Sequence, residues 1–157
     1  MTVATARSIT DYRRRAFVRL IAESAIAGED PLDSWSSEHP LWEVFEDRAD
    51  LLRALQEHWV DLLSHRVYGA PEYPLGNDTM RDVYTALAEA HPTLRAILAK
   101  FEDDVAIADQ LMEEHVLLAR AAGNLDTRAS ASTLVWRARD LLATVPEQRA
   151  STHVAAS

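Results

Sequence analysis

Apolar residues recur at steps of three and four along most of the chain, the spacing that lines them up on one face of a helix. Between Ser8 and Ala27 two such rows, Tyr12, Ala16, Leu20 and Phe17, Ile21, Ala25, predict a first helix. Arg13 to Arg15 cross that stripe and read as a solvated turn. Gly28, Pro31 and the Ser-rich DSWSSEHP then break the period. A longer period runs from Leu41 to Val67 through Val44, Phe45, Leu51, Leu52, Leu55, Trp59, Leu62 and Leu63. Asp47 or Asp50 is placed to cap a restart inside it, after Pro40. The stretch YGAPEYPLGND, with two Gly and two Pro, cannot continue a helix and reads as an ordered loop.

Asn77 or Asp78 is a good N-cap for a helix reaching Ala90, with Met80, Val83, Tyr84 and Leu87 on its apolar face. Pro92 suits the first turn of the next helix, with Leu94, Ile97, Leu98 and Phe101 inward. The acidic EDD at 102–104 either interrupts that helix or lies on its exposed face. Val105 to Ala122 forms a fifth helical segment, closed by Gly123-Asn124. After a small, polar stretch, Val135, Ala138, Leu142 and Val145, with Trp136, predict an appended helix that must bury its stripe against its own core or a partner. The final PEQRASTHVAAS reads as a frayed tail. Strand alternation appears nowhere, so the expected class is all-α.

Composition narrows the function classes. At 157 residues the chain suits one domain, and 48% apolar against 26% charged residues is too apolar for a disordered chain. The absence of Cys excludes thiolate metal sites, thiol catalysis and disulfides. Acidic residues outnumber basic ones 25 to 16, which argues against nucleic-acid and anionic-membrane partners, since both attract clustered cations. No apolar run approaches a membrane span, and MTVATARSITDYRRR lacks a secretory core, so a cytoplasmic protein is expected.

Familiar catalytic patterns are missing: no Gly-rich phosphate loop, nucleophile elbow, HExxH or paired Glu-x-x-His occurs. The neighbouring carboxylates Glu113-Glu114 and Asp103-Asp104 point apart on a helix and read as solvated faces. His58, Asp61 and His65 share one helix face, a weak pattern for a divalent metal ion. His115 reads as a satisfied core or boundary residue.

From Pro40 to Ala122 the chain resembles the truncated haemoglobins, the short two-over-two form of the globin fold. HPLWEVFED is similar to the start of the family's distal helix, with Phe45 as the Phe that packs on haem. LRALQEHWVDLL resembles the distal helix itself, with His58-Trp59 at its aromatic-Trp pair. YGAPEYPLGNDTMRDVYTAL looks like the Gly-rich loop and short proximal helix, and HPTLRAILAKFEDD like the long helix that follows. The resemblance gives a globin-like domain, taken as 1–124, and the apolar spacing beyond it gives an additional C-terminal helix and flexible tail over 125–157.

It also implies a cofactor pocket lined by Phe45, Leu51, Leu55, Trp59, Leu87, Leu94, Ile97 and Phe101. Tyr84 stands where the family has its iron-binding His. Leu51 and Leu55 occupy positions that usually offer His, Gln or Thr to bound ligand, and Ile97 one that often holds Trp. An apolar distal wall gives bound oxygen no hydrogen-bond donor, which argues against oxygen transport. Three readings follow from the resemblance. Haem binds through Tyr84 as a phenolate metal ligand, in a redox, sensing or gas-related role. A different residue, such as His91 two turns on, takes the iron. Or the fold has lost haem, and the protein is a globin-fold module that binds an apolar small molecule or acts through protein contacts. A homodimer through the appended helix is one form of the last.

Overall fold

The computed structural model describes residues 11–16, 18–19, 44–123 and 129–143. The remainder of the expected first helix, the break after it and the C-terminal tail lie outside the described residues. A helical stretch covers 11–16 and 18–19. The helices that follow are α1 (Arg48–Tyr68), α2 (Asn77–Ala90), α3 (Pro92–Lys100), α4 (Ala108–Ala121) and α5 (Ala131–Ala143), with a 3-10 turn at Val105–Ile107 before α4. No strand occurs among the described residues. The protein is all-α.

α1 begins later than its apolar period suggests. Asp47 accepts a hydrogen bond from the Asp50 N–H at 2.7 Å, an N-cap that starts the helix at Arg48. Val44 and Phe45 are therefore buried without being helical. Asp50 also receives both ends of the Arg14 guanidinium, at 2.6 and 2.8 Å, which ties the N-terminal helical stretch to the start of α1. The Arg14 guanidinium also stacks 4.9 Å from the centre of the Phe45 ring.

The loop after α1 is ordered, as its Gly and Pro content predicts. Its Leu75 N–H donates to the Ala121 carbonyl at 2.8 Å, fastening the loop to the end of α4. The cap of α2 is neither Asn77 nor Asp78 but Gly76, at φ 74° and ψ 168°, with no side-chain cap bond. Asp78 instead pairs with Arg81 one turn along, at 2.8 Å. Pro92 opens α3 as expected. The EDD run interrupts the helix: Asp104 accepts from the Ala106 N–H at 2.8 Å and sets the 3-10 turn from which α4 departs.

α1 is the central helix, packing on α2, α3, the 3-10 turn and α4. Its Leu51, Leu52, Leu55, Trp59, Leu63 and Val67 form the spine of the core, with Met80, Leu87, Leu94, Leu98, Ile107 and Leu118 around them. α5 lies along α4 and touches α2. Its buried face is Leu134, Ala138 and Leu141. That face is turned from the stripe expected from sequence, for Val135 and Leu142 are half-buried and Trp136 is 67% exposed.

Candidate functional site

One polar network crosses this apolar core. On α1, Gln56 and Trp59 stand one turn apart and face α4. There Glu114, only 1% exposed, accepts from Gln56 Nε2 at 2.6 Å and from Trp59 Nε1 at 3.0 Å. A buried carboxylate is tolerated only with such partners. The Gln56 Oε1 atom, equally buried, has no partner among the described residues. Tyr84 of α2 sets its ring edge-on to Trp59, with centroids 5.5 Å apart and an 80° interplanar angle. Arg95 of α3 lies over both rings, 5.5 Å from the Trp59 centroid and 5.8 Å from that of Tyr84.

Outward from Glu114 opens a cleft of about 340 Å³. Arg95 and, from α5, Arg139 contribute guanidinium groups to its lining, and His115 and Tyr84 contribute polar side chains. Glu102 and Asp103 lie at its rim, and Leu111 and Leu142 give it an apolar patch. Among the described residues neither Arg95 nor Arg139 has an ion-pair partner. Burial pushes the His115 imidazole below its ordinary value of 6.5, with Arg139 and Arg95 acting in the same direction against Glu114, so it is neutral at physiological pH.

Two wider clefts have plainer linings. One of about 730 Å³ lies between the N-terminal helical stretch and α1, lined in part by Arg14, Glu57, His58, Asp61 and His65. Another, of about 540 Å³, lies between α1 and α4 beside Tyr68 and Met112. Neither reaches a buried polar side chain. The 340 Å³ cleft is lined by three: Tyr84, Glu114 and His115.

The residues singled out from sequence divide between this cleft and the core. Tyr84 alone among the cofactor candidates lines the cleft. Phe45, Leu51, Leu55, Trp59, Leu87, Leu94 and Ile97 are buried, and none of them lines any of the three clefts. Phe101 is half-buried, with the Arg48 guanidinium 4.6 Å from its centroid. His91 serves the junction of two helices. Its N–H donates to the Leu87 carbonyl at the end of α2, and its carbonyl accepts from Arg95 in α3. His65 bonds through Nδ1 to the Asp61 carbonyl, and among the described residues no group of three or more His, Cys, Asp or Glu is placed to hold a metal ion.

The surroundings of Tyr84 do not suit haem. A phenolate ligand needs a phenol whose proton leaves readily. Here burial first, and then the neighbouring Glu114 carboxylate, raise its pKa from an ordinary 10.0, against a smaller pull from Arg95. A porphyrin would also have to displace Leu51, Leu55, Leu87 and Leu94, which already pack together in the core.

Glu114 itself corrects a reading from sequence: the Glu113-Glu114 pair is not a solvated face, because Glu114 points inward. The signal was present. Glu114 shares a helical stripe with Leu111, Leu117 and Leu118, and Gln56 shares one with Leu52 and Trp59. Two polar residues on facing apolar stripes mark a buried pair. No family model, curated protein or solved structure matches the chain.

Proposed function

We propose that this chain is a haem-free, globin-like helical module that binds a small polar molecule in the cleft above Glu114, through an acidic group held by Arg95 and Arg139. The observation that carries the reading is the pair of guanidiniums from different helices, lining one cleft without an ion-pair partner of their own among the described residues. Arg95 is held by the faces of Trp59 and Tyr84, which leaves its fork of N–H groups available to a carboxylate or phosphate. The cleft volume lies at the small end of the range that ligand pockets occupy. In a globin-like arrangement the buried Leu51, Leu55, Leu87 and Leu94 would fill the space that family gives to its cofactor.

Two measurements test this. Titration of small carboxylates and inorganic phosphate, followed by amide chemical shifts, should move resonances of α3, α4 and α5 around the cleft. Arg95→Gln or Arg139→Gln should abolish those shifts. Added haem should give no Soret change that depends on Tyr84. Shifts that persist in both arginine variants, or a phenolate charge-transfer band lost in Tyr84→Phe, would overturn the proposal.

A further inference from the structure

We infer that the ligand is a zwitterion, a small amino carboxylic acid whose ammonium group lies toward the acidic side of the cleft; this rests on the binding reading above. The cleft does not have the charge balance of a plain anion site. Against Arg95 and Arg139 stand the rim carboxylates Glu102 and Asp103, and Glu114 beneath them. Three acidic groups to two basic ones give a lining of net charge −1, so a lone carboxylate gains from the guanidiniums but offers nothing to the acidic side. A ligand that carries both signs a few ångströms apart meets complementary charge at each end.

The acidic side is open to such a group. Glu102 and Asp103 are exposed, and neither forms an ion pair among the described residues. Glu114 accepts from Gln56 and Trp59 and neighbours the Tyr84 phenol, so it adds negative charge beneath the acidic side while Glu102 and Asp103 offer the open oxygens. The neutral His115 adds hydrogen-bonding capacity without adding charge. Leu111 and Leu142 suit a short aliphatic side chain.

Calorimetric titration of the full chain with L-alanine, propionate and n-propylamine at one ionic strength tests the inference. Alanine should bind at least about tenfold more tightly than either single-charge probe, a difference typical of one lost charge-assisted contact. The double variant Glu102→Gln/Asp103→Asn changes exposed side chains only, and its far-ultraviolet dichroism reports whether it folds. It should lower alanine affinity to that of propionate while leaving propionate binding intact or stronger. If propionate binds the native chain as tightly as alanine, the zwitterion inference falls and the anion reading stands. If n-propylamine matches alanine, or the double variant keeps the full preference for alanine, the inference falls as well. If no probe binds, or Arg95→Gln/Arg139→Gln binds alanine unchanged, the inference and the reading beneath it fall together.

Discussion

Replacing Glu114 by alanine removes the acceptor that two buried donors share. Gln56 Nε2 and Trp59 Nε1, at 2.6 and 3.0 Å in the native protein, would be left facing a void. Each donor stranded in the interior costs about 1–3 kcal/mol. The lost side chain leaves a partial cavity, while removing a buried charge returns some of its desolvation energy. The expected net loss is about 3–5 kcal/mol, a large share of the ~5–15 kcal/mol that typically holds a domain folded. Glu114→Gln should behave differently. Its carbonyl can accept from Trp59, and its amide can donate to Gln56 once that side chain turns its unpartnered Oε1 toward α4. The two hydrogen bonds survive and the buried charge is gone, while the turned Gln56 Nε2 takes the unpartnered place that Oε1 holds in the native chain, so the loss should be about 1–3 kcal/mol, smaller than in Glu114→Ala. Urea unfolding followed by far-ultraviolet dichroism and by tryptophan fluorescence measures both variants. If Glu114→Ala loses less than about 1 kcal/mol, or Glu114→Gln loses as much as Glu114→Ala, the account of this network is wrong.

Gly76→Ala should destabilise by about 1–3 kcal/mol in the same assay, because φ 74° with ψ 168° is a conformation essentially reserved for glycine. No neighbouring atom lies within 4 Å of the added methyl, so strain alone carries the effect and Gly76→Ser should cost a similar amount. Leu55→Ala, at a fully buried site on the central helix, should lose about 2–5 kcal/mol and broaden the amide spectrum of α1 and its neighbours. Acid should weaken the protein in two windows. The folded pKa of His115 is lowered, so the unfolded chain takes up its proton first and stability falls as pH drops below 6.5 toward the folded value; His115→Gln should flatten that window. The Arg14 hydrogen bonds hold Asp50 below its ordinary 3.8, so its contribution is complete above that pH and lost as pH falls through the lowered value; Asp50→Asn should remove that step from the stability-against-pH curve.

Helical class and most of the helices were legible because each depends on local spacing and punctuation. Pro92, the Gly-Pro loop and the three-four periods of α2 and α3 act within a few residues of themselves, and the structure follows them closely. Departures gathered at helix ends and on packed faces. The Asp47 cap was legible as a restart, but Val44 and Phe45 before it are buried by tertiary packing without being helical. α2 takes Gly76 as its cap, and Asp78 pairs with Arg81 instead. The inward face of α5 is set by where α4 and α2 lie, which its own pattern of Val135, Trp136 and Leu142 does not state.

The site shows the same limit more sharply. Spacing along the chain can single out one residue as a candidate for ligand binding, and it selects Tyr84. It cannot supply the dielectric and the charges around that residue, which come from helices remote in sequence. Glu114 on α4 and Arg95 on α3 act on the Tyr84 phenol in opposite directions, and burial, the largest influence, works with Glu114 to raise its pKa. The same convergence makes Glu114 and Arg95 line one cleft, where among the described residues Arg95 has no ion-pair partner. Binding chemistry at this place therefore depends on helix packing more than on any one motif. A substitution that shifts α4 against α1, such as Gln56→Leu, should disturb the cleft through Glu114 although Gln56 itself does not line it.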